Sequence, residues 1–199
     1  MTKRGTHTLR EIRGQAKAWA QALRAAQSTL PRIRESWSQQ DVAEVLFCGC
    51  GSTHYLSLTA AAVCQAETGI RAQGLPSSEV FLFPGIALPP GKSWLVAISR
   101  SGETTETVRA AKAFAERKGQ DSVLVITCYG NSTLAALTKT PLVASAAQEQ
   151  SYAQTASFSS MLVLALSLVE ELAGRPAIGQ APHHHPLGQR DHQEVEPRR

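Results

Sequence analysis

Four segments rich in serine, threonine and glycine could bind a phosphate group. They span residues 49–54, 99–105, 127–133 and 148–155, and each follows a predicted strand and leads into a predicted helix or helical turn. A helix N-terminus presents unpaired N–H groups and the positive end of the helix dipole, and small residues let an anion approach the backbone. Because the carboxyl ends of parallel strands meet at one edge of a sheet, these loops predict an anion site there.

The segment 99–105 gives the most specific of these signals. It carries hydroxyl groups at Ser99, Ser101, Thr104 and Thr105, whereas an ordinary helix cap needs only one. We therefore predict phosphate binding in this segment. For the other three segments, helix capping and anion binding both remain open.

Better-known motifs are excluded by their spacing. Gly49 and Gly51 begin a G-x-G-x-x-G pattern, but His54 occupies its sixth position. No G-x-x-x-x-G-K-[ST] is present, and no serine has the flanking glycines of G-x-S-x-G. The four cysteines form no C-x-x-C pair, so packing of small residues explains them best; Cys50, at a predicted helix start, is also a candidate for a lowered thiol pKa.

The elements that must position these loops alternate between strand and helix from Val42 onward. Apolar runs predict strands at 42–48, 70–75, 94–99, 122–127 and 141–144, and longer patterns predict helices at 52–67, 103–118 and 152–173. Unbroken apolar strands separated by helices indicate a parallel sheet covered on both faces. We predict an α/β fold with a single doubly wound, flavodoxin-like parallel sheet of about five strands, flanked by helices.

The two ends of the chain differ from this body. Residues 1–40 are predicted to form a helical leader that Pro31 ends or restarts. Its apolar residues at helical spacing are expected to pack against a sheet or a partner: Leu9, Ile12, Ala16, Trp19, Ala20, Leu23 and Ala26. Residues 175–199 hold four prolines and few apolar residues, and are predicted to be a disordered tail. Residues 41–174 remain as the domain that carries the site.

Charge and composition exclude several classes of function. Residues 1–40 hold eight Lys/Arg and two Asp/Glu, a net +6, whereas residues 41–174 hold eight and eleven, a net −3. The basic leader lacks interleaved aromatic residues and any binding motif, so we expect no nucleic-acid partner. No apolar run reaches the roughly 18 residues of a membrane span, and no signal peptide opens the sequence. We expect a cytoplasmic protein with no membrane partner.

The sequence resembles the SIS (sugar isomerase) domain family. The resemblance rests on Cys50-Gly51-Ser52-Thr53 and on Ser99-Arg100-Ser101-Gly102-Glu103-Thr104, each between a predicted strand and a predicted helix; the second motif is the more specific. The stretch 148–158 is similar to the segment that closes the first SIS module in glucosamine-6-phosphate synthase and its relatives. The resemblance covers residues 10–173.

The resemblance implies a site for a sugar 6-phosphate. It implies phosphate contacts from Ser99, Ser101, Thr104, Ser52 and Thr53, and other substrate contacts from Cys50, Gly51, Arg100, Gly102 and Thr155. In the synthase group, glutamine stands in place of Arg100 and lysine in place of Ala156. The missing lysine, together with Ser157 and Phe158, makes this stretch look more like the galactosamine-6-phosphate deaminase/isomerase group.

Isomerisation or deamination of a hexose 6-phosphate requires a base that moves a proton between C1 and C2 and an acid that opens the ring. Glu149 is the carboxylate that we would test first. For Glu79, Glu103 and His54 a surface or helix-dipole role is a sufficient explanation. We expect no metal site and no cofactor.

The sequence differs from these relatives in its number of SIS modules. They carry two SIS modules, whereas one is recognisable here. We therefore predict the sugar-phosphate-binding domain of an amino-sugar-phosphate isomerase or deaminase, which a second module or subunit completes, and we expect a homodimer. The alternatives are a non-catalytic sugar-phosphate sensor and a truncated remnant of a two-module enzyme.

Overall fold

The computed structural model describes residues 5–175, in which five parallel strands form one sheet. The strands are β1 (Glu44–Gly49), β2 (Arg71–Pro76), β3 (Ser93–Ser99), β4 (Val123–Thr127) and β5 (Leu142–Val143). Their order is β2-β1-β3-β4-β5, and all neighbours pair in parallel. This confirms the predicted flavodoxin-like sheet. Apart from Arg175, the predicted disordered tail lies outside the described residues.

Helices cover both faces of the sheet. They are α1 (Thr6–Ser38), α2 (Ser52–Thr68), α3 (Ser77–Leu82), α4 (Pro84–Ala87), α5 (Thr105–Lys118) and α6 (Ala156–Leu172). Because successive side chains of a strand point to opposite faces, each buried strand feeds two cores. Val45 and Phe47 pack with α1, α2 and α6, whereas Leu46 and Cys48 pack with α5 on the other side. No helix within residues 5–175 is long and apolar enough to cross a membrane.

The leader forms one continuous helix, so the prediction that Pro31 ends or restarts it is wrong. Proline removes one helical hydrogen bond, but Leu30 and Ile33 on either side of it are each 1% exposed and pack in the core. Part of the expected apolar face does not pack against the sheet and stays available to a partner. Leu9, Ile12 and Trp19 are exposed, and the buried face runs instead through Ala18, Ala22, Ala26, Leu30 and Ile33.

Two helices begin later than the sequence indicates. Helix α5 begins at Thr105 rather than at 103, and α6 begins at Ala156 rather than at 152. In both cases the residues predicted to form the first helical turn form a loop instead. Hydrogen bonds from the side chains of that loop stabilise its non-helical backbone. Helices α3 and α4, which the sequence analysis did not predict, fill the connection from β2 to β3.

The register of the sheet brings the loops together. Ser99 at the end of β3 pairs with Thr127 at the end of β4, and Thr127 pairs with Val143 in β5. Gly49 at the end of β1 pairs with Pro76 at the end of β2. All of the segments that follow these strands therefore leave the sheet at its carboxyl edge.

Candidate functional site

The segment between β3 and α5, residues 99–105, is called the phosphate loop below. Ser99 is buried, and its Oγ accepts the Gly102 N–H at 3.1 Å and lies 3.0 Å from Thr104 Oγ1. Ser101 Oγ accepts the Glu103 N–H at 3.1 Å. Since one proton serves the Ser99–Thr104 contact, that pair keeps one hydroxyl proton for a ligand, and Ser101 keeps its own.

The first turn of α5 opens directly onto this loop. Thr104 is its N-cap residue, and the first helical hydrogen bond runs from the Val108 N–H to the Thr104 carbonyl at 3.0 Å. The N–H groups of Thr105, Glu106 and Thr107 therefore precede that bond at the positive end of the helix dipole. Together with the hydroxyls they form a set of donors suited to an anion.

The tight path of the phosphate loop depends on Gly102. Its φ is 67°, a left-handed conformation, and a Cβ at this position would overlap the Ser132 side chain. The Gly102 carbonyl also accepts the Leu134 N–H at 3.0 Å. The phosphate loop is therefore built directly against the segment that follows β4.

Glu103 also connects the phosphate loop to the segment that follows β4. Its two carboxylate oxygens accept the Thr133 N–H and the Thr133 hydroxyl, each at 2.7 Å. These hydrogen bonds, first the side-chain and then the backbone one, hold the pKa of Glu103 below its usual value. The contact with Thr133 therefore explains this carboxylate; the expected role in the first turn of the helix is wrong, because α5 begins at Thr105.

In the loop after β1, the polar groups form hydrogen bonds with one another. Thr53 is buried, and its hydroxyl donates to the Cys50 carbonyl at 2.9 Å and accepts the Cys50 N–H at 3.0 Å. Binding of phosphate by Thr53 stays a prediction that requires this hydroxyl to exchange partners. Ser52 is exposed, and Gly51 has a φ of 56°. The Thr107 hydroxyl lies 3.9 Å from Cys50 Sγ, which places this loop beside the first turn of α5.

Residues 148–155, between β5 and α6, are called the site loop below. Arg100 reaches it from the phosphate loop: its Nη1 donates to the Ser151 carbonyl at 3.2 Å and to the Tyr152 carbonyl at 3.3 Å. The same Nη1 lies 3.8 Å from Glu149 Oε2. The resemblance implies a substrate contact for Arg100, which stays a prediction; in this structure Arg100 joins the two loops.

Glu149 is a buried carboxylate with several donors around it. Its side chain is 1% exposed, and Oε1 accepts the Thr155 N–H at 2.8 Å and the Thr155 hydroxyl at 2.6 Å. The Ser157 hydroxyl donates to the other oxygen. Thr155 is the N-cap residue of α6, so these contacts explain why the helix starts at Ala156.

The remaining candidates lie at the margin of the site. His54 is half-buried on the first turn of α2, and its Nδ1 is buried without a hydrogen-bond partner in the described part of the chain. Glu79 is exposed, as a surface role predicts, and it lies on α3. Burial raises the pKa of the Cys48 and Cys128 thiols to about 12, and for Cys128 the nearby Glu149 charge adds to the effect.

The structure thus brings the predicted Ser99, Ser101, Gly102 and Thr104 into one loop, and Arg100 connects that loop to Glu149 and its partner Thr155. The sequence placed Ser132 and Thr133 in a candidate anion-binding segment but did not reveal that they hold the phosphate loop from the β4 side. Within residues 5–175, no group of three or more His, Cys, Asp or Glu side chains is placed to hold a metal ion.

A five-stranded parallel sheet in this order, with helix N-termini and hydroxyl-rich loops at its carboxyl edge, defines a doubly wound α/β domain with candidate anion-binding loops. The SIS domain family matches residues 42–171, and the chain therefore belongs to that family. This confirms the resemblance seen in the sequence.

Individual relatives agree with this assignment. The chain is 30% identical over 126 residues to the glutamine–fructose-6-phosphate aminotransferase (isomerizing) of Helicobacter pylori, a match that covers 63% of the chain and 20% of that relative. It is 24% identical over 174 residues to the D-galactosamine-6-phosphate deaminase AgaS of Escherichia coli O157:H7, covering 82% of the chain and 45% of the relative. The chain spans less than half the length of both of these curated relatives.

A solved structure gives the same result. The crystal structure of glucosamine-6-phosphate deaminase from Thermotoga maritima superposes with a TM-score of 0.61 at 27% identity. The match covers 78% of this chain and 50% of that one.

Proposed function

We propose that this chain binds a hexose 6-phosphate, with the phosphate at the phosphate loop and the sugar facing the site loop. The observation that carries the proposal is the phosphate loop itself. It places the Ser101 hydroxyl, one hydroxyl proton of the Ser99–Thr104 pair and the first N–H groups of α5 at one end of one helix. Such a set of donors binds a dianion better than a single cap does.

The proposed reaction is isomerisation or deamination of an amino-sugar phosphate. Its support is family membership and the names of the relatives, which refer to fructose 6-phosphate, galactosamine 6-phosphate and glucosamine 6-phosphate. Glu149 is the proposed base, because it is a buried carboxylate joined through Arg100 to the phosphate loop. To act, this buried carboxylate must become accessible to the substrate; its Oε2, which accepts one hydrogen bond in this structure, keeps a lone pair for a proton.

A second candidate function is non-catalytic sensing of the same ligand. The specific observation in its favour is that both Glu149 oxygens already accept hydrogen bonds from Thr155 and Ser157. A carboxylate held in this way positions the site loop without moving a proton. In that case binding is the whole function of the domain.

Self-association is part of the proposal. Leu9, Ile12 and Trp19 are 49%, 46% and 39% exposed on α1, so the leader offers apolar surface to a second copy. We expect a homodimer, which sedimentation of the purified chain measures. A monomer at all concentrations tested would contradict this part of the proposal.

Calorimetric titration tests the ligand class. Glucosamine 6-phosphate and galactosamine 6-phosphate are compared with unphosphorylated glucosamine and galactosamine. We expect much tighter binding of the phosphorylated sugars, because the donors described above form stronger hydrogen bonds with a charged phosphate than with a neutral sugar. Equal binding of the phosphorylated and unphosphorylated sugars, or no binding of either, would overturn the proposal.

A further inference from the structure

The site loop is held by the leader helix as well as by Arg100. Glu11 lies on the second turn of α1, and its Oε1 accepts the Gln150 N–H at 2.7 Å and the Ser151 N–H at 3.3 Å. The Ser151 hydroxyl donates to the other carboxylate oxygen. One side chain thus accepts three hydrogen bonds from two consecutive residues of a loop that lies 139 and 140 positions away in sequence.

The pKa of Glu11 agrees with a role in holding the site loop. Desolvation raises its pKa, but the hydrogen bonds from Ser151 and Gln150 and the charge of Arg10 outweigh that effect, so the pKa of Glu11 lies below its usual value. A carboxylate that accepts backbone N–H groups in its ionised form binds them more strongly than a neutral acceptor does. Glu11 therefore holds the loop as a charged acceptor.

Neighbouring contacts continue along the same side of the leader. Arg10 donates to the Gln150 side chain at 2.7 Å. One turn further on, Gln15 Oε1 accepts the Ser159 hydroxyl at 2.7 Å, and Trp19 Nε1 donates to Ser159 Oγ at 2.8 Å. The leader is thus fastened both to the site loop and to the first turn of α6.

Ser151 is the point where the two anchors meet. Its N–H and hydroxyl donate to Glu11, and its carbonyl accepts from Arg100. The leader, the site loop and the phosphate loop are therefore connected through a single residue. Without the Glu11 carboxylate, the N–H and hydroxyl of Ser151 lose these acceptors. Among the contacts described, Arg100 is then the remaining side chain that holds Ser151.

We propose that Glu11 is a positioning residue for the sugar end of the site; this inference rests on the proposed function. Glu11 fixes Ser151, and Ser151 in turn places Arg100 and the Glu149–Thr155 pair. The phosphate loop has its own supports, from Ser132 and Thr133, and does not need Glu11. Glu11 therefore controls affinity for the whole sugar phosphate while leaving affinity for phosphate alone unchanged.

The test compares Glu11→Gln with Glu35→Gln in the full chain. Glu35 is an exposed residue of the same helix, so the control makes the same chemical change away from the site. Two ligands are titrated, glucosamine 6-phosphate and inorganic phosphate. Hydrogen exchange of the Gln150 and Ser151 amides is measured without ligand.

Glu11→Gln should raise the dissociation constant for glucosamine 6-phosphate about tenfold and change that for inorganic phosphate less than about twofold. Exchange of the two amides should accelerate about tenfold, whereas Glu35→Gln should leave all three quantities unchanged. Ser151→Ala, which removes only the hydroxyl donor, should show the same pattern at smaller size. It serves as the second variant if Glu11→Gln does not fold.

Three results would overturn the inference. Unchanged amide exchange would show that Glu11 does not hold the loop, and accelerated exchange with unchanged sugar-phosphate affinity would show that the held loop does not serve the site. An equal loss for both ligands would also contradict it, by revealing a general structural role. If the wild-type chain binds neither ligand, the proposed function itself fails, and the positioning role fails with it.

Discussion

The guanidinium of Arg100 lies 3.8 Å from the carboxylate of Glu149, which is 1% exposed. This pairing joins a residue of the phosphate loop to the carboxylate proposed as the base. A buried carboxylate needs a cation or several donors nearby, because its charge has lost its contact with water. Arg100, Thr155 and Ser157 supply both, and the same contacts restrict what Glu149 can do.

Turnover by the purified chain should therefore be poor. A missing or misplaced acid or base forfeits on the order of 10²–10⁴ in rate, and Glu149, the base proposed here, already accepts hydrogen bonds from Thr155 and Ser157. The assay follows ketose or ammonia from glucosamine and galactosamine 6-phosphates. Turnover at about 1–10³ per second would contradict this expectation.

Substitution then distinguishes the two candidate functions. If turnover is found and Glu149→Gln abolishes it while Glu116→Gln does not, the base lies in this chain and the domain is catalytic. Glu116 is a suitable control because it is a carboxylate near the C-terminal end of α5, away from the phosphate loop. Binding without turnover, in the dimer as well as in the monomer, is the result expected of the sensor and also of a domain that a second module completes.

Gly102→Ala should destabilise the protein and weaken anion binding. A non-glycine residue at a φ of 67° is strained, and its Cβ would overlap Ser132, so we expect a loss of at least about 1–3 kcal/mol in the free energy of unfolding. Denaturant unfolding measures this loss.

Gly14→Ala is the matched control. Gly14 lies within α1, and an added methyl group at this position would meet open space, so the same substitution should stabilise the protein by about 0.5–1 kcal/mol. Equal effects of the two substitutions would show that Gly102 has no special conformational role.

Most of the fold follows from the sequence, since it depends on local patterns. The run 122–127 is apolar and β-branched, and such a run indicates a buried strand wherever it lies in the sheet. The phosphate loop could likewise be found from its own residues, because its four hydroxyls exceed what a helix cap requires. The chain order of strands and helices then favours this sheet topology.

The predictions that were wrong concern features that depend on contacts between residues far apart in the sequence or in neighbouring loops. Helix α1 has apolar residues on more than one side, so spacing alone does not reveal that Ala22 rather than Ile12 faces the core. Nothing in the local sequence connects Glu11 to Ser151, because an acidic residue on a basic helix is typical of a solvated surface. The late start of α6 has the same origin, since it depends on how Glu149 folds back onto Thr155.

Stability should fall in acid through Glu103. Its pKa is lowered by hydrogen bonds from Thr133, so its contribution is fully present above its ordinary pKa of 4.5 and is lost as the pH falls through the lower folded value. The difference in unfolding free energy between wild type and Glu103→Gln should therefore shrink from pH 7 to pH 3.

Glu106→Gln, at an exposed position in the first turn of α5, is the control for removal of a surface carboxylate. Its difference from wild type should change less over the same range. A Glu103→Gln difference that is the same at pH 7 and pH 3 would show that the carboxylate does not stabilise the join with Thr133.

Thiol labelling should report on the loop after β1. Cys48 and Cys128 are buried with a pKa of about 12, and Cys64 is buried, whereas Cys50 is half-buried. Iodoacetamide at mildly alkaline pH should therefore modify Cys50 first, because the thiolate is the reactive form and needs access. Mass spectrometry of peptides measures the order.

A bound sugar phosphate should slow the labelling of Cys50, since this loop lies beside the first turn of α5. Sodium chloride at the same ionic strength is the control. Labelling of Cys50 that is unaffected by saturating sugar phosphate would place the ligand away from this loop.

The central claim is that the phosphate loop binds the phosphate of a hexose 6-phosphate. It is tested most directly by calorimetric titration of glucosamine 6-phosphate into the wild type and into the triple variant Ser99→Ala, Ser101→Ala, Thr104→Ala. The matched control is Ser28→Ala, Ser36→Ala, Thr59→Ala, at three exposed hydroxyls that bond their own helices. We predict that the first variant, checked for folding by thermal unfolding, binds at least about tenfold more weakly, while the control binds like the wild type. An unchanged affinity in the folded phosphate-loop variant would contradict the account.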